Sequence, residues 1–132
     1  SVNSPLSPEM QKLSIELRRK IEEYAVKTCM PLVANKDIEA LEEIIERMQE
    51  HFDKEEFTEL TKADIEFHQY IVELAGGESL INIWYPIVIR MRMNYQRIKT
   101  SQALVDEHKD ILEGIRNKDV KSATAALKKN IK

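Results

Sequence analysis

The stretch Phe57-Thr58-Glu59-Leu60-Thr61-Lys62-Ala63-Asp64-Ile65-Glu66-Phe67-His68-Gln69-Tyr70-Ile71-Val72-Glu73-Leu74-Ala75-Gly76-Gly77 decides how the rest of the chain is read. Phe57, Leu60, Asp64, His68, Ile71 and Ala75 recur three and four apart, the period that lines side chains along one face of an α-helix. The spacing predicts a helix from about Lys54 to Ala75, closed at Gly76-Gly77, where glycine can adopt the left-handed conformation that ends a helix. Two members of this apolar stripe are polar. Asp64 and His68 lie one turn apart, so their side chains stack on the same face. A buried carboxylate is costly unless it is paired or bound to a metal, so Asp64 in a core stripe requires a partner.

The same period extends in both directions. Upstream, Ser7 is a plausible N-cap with Pro8 at the first helical position, opening a helix expected to turn Met10, Leu13, Leu17, Ile21 and Tyr24 inward until Pro31 ends or kinks it. A second helix from about Asn35–Asp37 carries the stripe Ile38, Leu41, Ile45, Met48 and Phe52. Downstream of the glycine pair, a fourth helix from about Glu78 to Ile98 is apolar over more than half its circumference (Leu80, Ile81, Ile83, Trp84, Ile87, Val88, Met91), which places it centrally or at a dimer interface, with a bend expected at Pro86. A fifth helix from Ser101 to near Asn117 turns Leu104, His108, Ile111, Leu112 and Ile115 inward. A sixth, capped by Asn117 or Asp119, does the same with Val120, Ala123, Leu127 and Asn130 or Ile131. No strand is predicted. The fold class expected is all-α, an antiparallel bundle of six to seven helices with a central ligand pocket.

Composition narrows the function. A chain of 132 residues with 42% hydrophobic residues can bury one core without covalent staples. Its 33% charged residues mix both signs to a net charge of −3, which argues against a duplex-binding face, because that would need basic residues to displace phosphate counterions. The single cysteine, Cys29, permits no internal disulfide and reads as a buried small hydrophobe in a reducing compartment. No apolar run is long enough to span a bilayer, and residues 1–8 read as a linker or remnant, so a soluble, cytoplasmic fragment is expected.

His108 repeats the polar anomaly on the fifth helix, and Asn130 repeats it more weakly on the sixth. One reading is a set of self-satisfied core hydrogen bonds. The other is a metal site, because three helices each supply a nitrogen or oxygen donor at an inward position, and imidazole with carboxylate suits Zn, Ni, Mn or Fe. His51, beside Phe52 in a charged stretch, reads as a surface residue. There is no G-x-S-x-G elbow, no H-E-x-x-H pair and no glycine-rich phosphate loop, so no enzyme is expected. The rival readings are a metal-free helical dimerisation module and a metal-dependent hydrolase using Asp64 or Glu107 as base.

From about Glu9 to Lys132 the chain resembles the FCD domain, the C-terminal effector-binding domain of the FadR subfamily of GntR transcription regulators. The resemblance rests on Arg18-Arg19-Lys20-Ile21-Glu22 (like R-x-x-[LI]-E), Asp64-Ile65-Glu66-Phe67-His68 (like D-x-x-F-H), Glu107-His108-Lys109-Asp110-Ile111-Leu112 (like E-H-x-x-I-L), and Asn117-Lys118-Asp119-Val120 with Ala123, Ala126 and Leu127 (like the closing G-D-x-x-x-A). It implies a divalent metal held by Asp64, His68 and His108. The fourth position, a histidine in metal-binding members, falls here on Asn130. That departure leaves open a three-ligand site completed by water, a weaker or harder metal, or no metal at all. The resemblance further implies a homodimer, a small carboxylate-type effector and a separate N-terminal winged helix-turn-helix that contacts DNA. Arg18, and Arg90 one turn before Asn94, are the residues expected to meet the effector.

Overall fold

A computed structural model describes residues 6–94 and 101–132, the side chains of 92–94 excepted. The described residues form five α-helices: α1 (Pro8–Cys29), α2 (Asn35–Asp53), α3 (Phe57–Asn94), α4 (Gln102–Arg116) and α5 (Val120–Asn130), with a 3-10 turn at Met30–Leu32. There is no strand among them. Ser7 caps α1 by accepting the Met10 amide at 3.2 Å, and Pro8 occupies its first turn as expected. Pro31 falls in the 3-10 turn that ends α1. Asp37 caps α2, accepting the Ala34 amide at 2.8 Å, and its other oxygen accepts the Tyr70 hydroxyl at 2.7 Å, which ties α2 to α3. Helix α1 packs on α3 and α5, α2 on α3 and α4, and α4 on α5.

The third and fourth predicted helices follow one another directly as the two segments of α3, which meet at a kink at Gly77 (φ 58°, ψ −153°), so the count is five. The break falls at the glycine pair expected to close the third helix, with Gly77 at the positive φ that such a closure uses, and Pro86 lies within the segment that follows. This conformation is essentially glycine-only, and a Cβ at Gly77 would meet nothing within 4 Å. Substitution there is therefore a test of backbone conformation alone. Gly77→Ala is expected to destabilise the fold by about 1–3 kcal/mol, read as a lower denaturant midpoint at unchanged slope; an unshifted midpoint would contradict this account.

The core gathers Leu41, Met48, Leu60, Phe67, Trp84, Val88, Ile111, Ile115, Leu127 and Ile131, all at or near full burial, and Cys29 is buried with them. Burial pushes the Cys29 thiol up to about 11, so the group is inert at neutral pH. Helix α1 departs from the sequence reading. Met10, Leu13, Leu17 and Tyr24 are exposed and Ile21 is half-buried; the inward face carries Arg18, Glu22, Ala25, Val26 and Cys29. Hydropathy treats charges as solvent-facing, whereas here a paired Arg18 and Glu22 turn inward to meet partners on α3. Phe57 and Val120 are also exposed, because each stands in the first turn of its helix, beyond the packed layer.

Candidate metal and effector site

Asp64 and His68 on α3 and His108 on α4 converge as expected, with their ligand-capable atoms all within 4.8 Å of one another and all three residues buried. His108 Nε2 lies 2.8 Å from Asp64 Oδ1 and 3.2 Å from His68 Nε2, and His68 Nε2 lies 3.4 Å from Asp64 Oδ1. Asn130, at the last turn of α5, brings its Oδ1 to 2.8 Å from His68 Nε2. The ring of Phe67 stands edge-on to both imidazoles and walls the cluster with apolar surface.

What surrounds these groups fixes how they face one another. His108 Nδ1 lies 2.7 Å from the Leu104 carbonyl, which can only accept, so Nδ1 carries the hydrogen and Nε2 turns its lone pair inward. His68 Nδ1 lies 2.5 Å from Glu22 Oε1. Burial alone would raise the pKa of Glu22, but the charges of His68 and Arg18, and hydrogen bonds from His68 and Trp84, outweigh it and lower the pKa to about 2. Glu22 is therefore a carboxylate, and His68 Nδ1 donates to it. The second Glu22 oxygen accepts Arg18 Nε at 2.6 Å and Trp84 Nε1 at 2.8 Å. Asn130 Nδ2 donates to Glu107 Oε1 at 2.9 Å, which leaves the amide oxygen facing His68.

Four atoms thus meet at the centre: His68 Nε2, His108 Nε2, Asp64 Oδ1 and Asn130 Oδ1. In the neutral tautomers set by their outer partners, each of the four offers a lone pair and none offers a hydrogen. Such a cluster attracts a cation, either a proton or a metal ion. Burial would push the His68 imidazolium down, yet the charge of Glu22 and hydrogen bonds to Asp64 and Glu22 hold its pKa above the ordinary value. For a metal, the separations of 2.8–3.4 Å compare well with the roughly 3.0–3.4 Å between neighbouring ligand atoms bound about 2.1 Å from one ion. The donor set fits a divalent transition metal.

Of the expected effector residues, Arg18 is buried one group away from the cluster, joined to it through Glu22. Arg90 is exposed on α3, with no interaction to the cluster among the described residues. The side chain of Asn94 lies outside the described residues. His51 is half-buried and pairs with Glu56, apart from the site. Sequence reasoning assigned no role here to Glu22 or Trp84 and considered Glu107 only as a catalytic base; neither Glu22 nor Glu107 lies on a predicted inward stripe, and only tertiary packing brings them against their partners.

Fold and site together define an all-helical domain that buries a nitrogen and oxygen donor cluster among its helices. The FCD domain family model matches residues 14–132, so the chain belongs to the FCD domain family, the C-terminal effector-binding domain of GntR-family regulators. A search of the curated proteins returns no match. FCD domains are regulatory and bind small-molecule effectors; they are not catalytic domains. No described helix is long and apolar enough to cross a membrane.

Proposed function

We propose that this domain senses a small carboxylate-type metabolite at a divalent metal held by Asp64, His68, His108 and Asn130, and transmits binding through a homodimer to a DNA-binding domain N-terminal to it. The observation that carries the metal reading is the all-acceptor cluster: four inward lone pairs, three of them fixed by outer partners that stop the ligand from turning away. The metal, when bound, supplies a positive centre on which an anionic effector can complete the coordination. Of the chain's own groups, Arg18 is the proposed second anchor, because Glu22 engages only its Nε and the remaining guanidinium N–H groups have no partner among the described residues. The effector shifts the dimer's equilibrium only as far as it prefers one arrangement over the other. Elemental analysis of the purified protein tests this directly: stoichiometric Zn, Ni, Mn or Fe is expected, and a metal content near zero, with no stabilisation by added metal, would refute it.

The hydrolase reading is disfavoured by Glu107, whose two oxygens are taken by Asn130 Nδ2 at 2.9 Å and Lys132 Nζ at 2.7 Å, leaving it poorly placed as a base. Support for a homodimer comes from the outward face of α1, where Leu13, Leu17 and Tyr24 are 43%, 45% and 55% exposed, and from Ile83 on α3, 59% exposed. Apolar side chains in a row at helical spacing mark an association surface when no other element of the chain covers them. Leu13→Glu with Leu17→Glu is expected to shift the protein from dimer to monomer in sedimentation equilibrium while leaving its helical content intact. A variant that stays dimeric at the same concentration would place the interface elsewhere.

A further inference from the structure

We propose that Glu107 is a positioning residue that makes Asn130 an oxygen donor to the metal. The inference rests on the metal reading given above. A carboxamide presents either oxygen or NH2 depending on its neighbours. Facing His68 Nε2 in the neutral tautomer that metal binding requires, with the ring hydrogen on Nδ1, the unassisted preference of Asn130 would be to donate Nδ2–H to that lone pair. The flipped amide would satisfy His68, remove one ligand and place two hydrogens where a cation belongs. Glu107 prevents this. It is 8% exposed, its Oε1 is 2.9 Å from Asn130 Nδ2, and a carboxylate can only accept, so the amide nitrogen is held outward and the oxygen inward.

Three further contacts keep Glu107 and Asn130 in register. Lys132 Nζ donates to Glu107 Oε2 at 2.7 Å, Arg19 Nε on α1 donates to the Ile131 carbonyl at 2.8 Å, and the Ile131 side chain is buried. Residues 130–132 are thereby held on both α1 and α4, and Asn130 reaches the cluster from a backbone pinned on each side.

The test is a double-mutant cycle on the full chain, with Co2+ as the probe, reading the dissociation constant by competition with a chelator and the visible absorption of the bound ion. Glu107→Leu is expected to weaken Co2+ binding roughly 10- to 100-fold, the range typical of residues that orient a metal ligand, and to change the absorption band as the donor set changes. Asn130→Ala should weaken binding comparably. Adding Glu107→Leu to Asn130→Ala should cost less than twofold more, since Glu107 acts through Asn130. Melting of the metal-free proteins separates folding loss from ligand loss, and Glu107→Gln, which keeps one acceptor for two donors, gives an intermediate effect should the leucine variant fail to fold. Wild-type affinity and spectrum in the Glu107 variants, or equal losses in both backgrounds, would overturn the positioning role while leaving the metal site in place. A wild-type protein that takes up no Co2+ would overturn both.

Discussion

Replacing His68 with alanine is expected to abolish stoichiometric metal uptake, because the imidazole is the hub of the cluster: its Nε2 lies within 3.4 Å of the other three inner donors. The same experiment on the wild-type protein uses a chelator. With metal in hundredfold excess over its dissociation constant, the ion stabilises the native state by about 2.7 kcal/mol, so its removal should lower the melting midpoint by about 10 °C for a domain of this size. His68→Ala removes a partner from the buried Glu22, and its metal-free form is therefore expected to melt below wild type. The informative quantity is the response to chelator, large for wild type and near zero for the variant. Stoichiometric metal retained by His68→Ala would show that the ion sits elsewhere.

The largest effect on stability is expected at Gly114, where α4 crosses α5. A Cβ there would stand 2.7 Å from both the backbone nitrogen and the Cα of Ala123, a separation at which the helices must move apart. Gly114→Ala should destabilise the domain by roughly 3 kcal/mol, the upper part of the range for overpacked sites, and Gly114→Val by more. Because the crowded atoms are main chain, Ala123→Gly removes only the Cβ contact at 2.8 Å and is not expected to rescue the fold. Displacing α5 also moves Asn130, so metal affinity should fall along with the urea midpoint; a Gly114→Ala protein as stable as wild type would contradict the close packing of α4 on α5.

The candidate site was legible where local spacing and burial coincide. Asp64 and His68 interrupt an apolar stripe one turn apart, and His108 does the same on another helix, so each is visible as a polar group facing the core. Asn130 was visible only as a weaker case, and its amide orientation depends on Glu107, 23 residues away in sequence. Glu22 was quoted only as part of a motif, because a charged residue flanking an exposed apolar stripe looks solvated in a helical period. Its burial comes from pairing with Arg18, His68 and Trp84, the last two on a different helix. The outward turn of Leu13, Leu17 and Tyr24 was illegible for a related reason: periodicity locates an apolar face but does not say whether the chain's own core or a second molecule covers it.

By itself the amino-acid sequence determined that this protein is all helical, where most of its helices begin and end, and that Asp64, His68 and His108 face inward. Those properties are set by residues within a few turns of one another, through backbone propensity, capping and the 3.6-residue period. Only the tertiary structure decided which face of α1 is buried and that Glu22, the Leu104 carbonyl and Glu107 aim three of the four inward lone pairs at one point. Those outcomes depend on hydrogen bonds and contacts between residues brought together by packing, and a buried polar group is stable only where such partners are already in place.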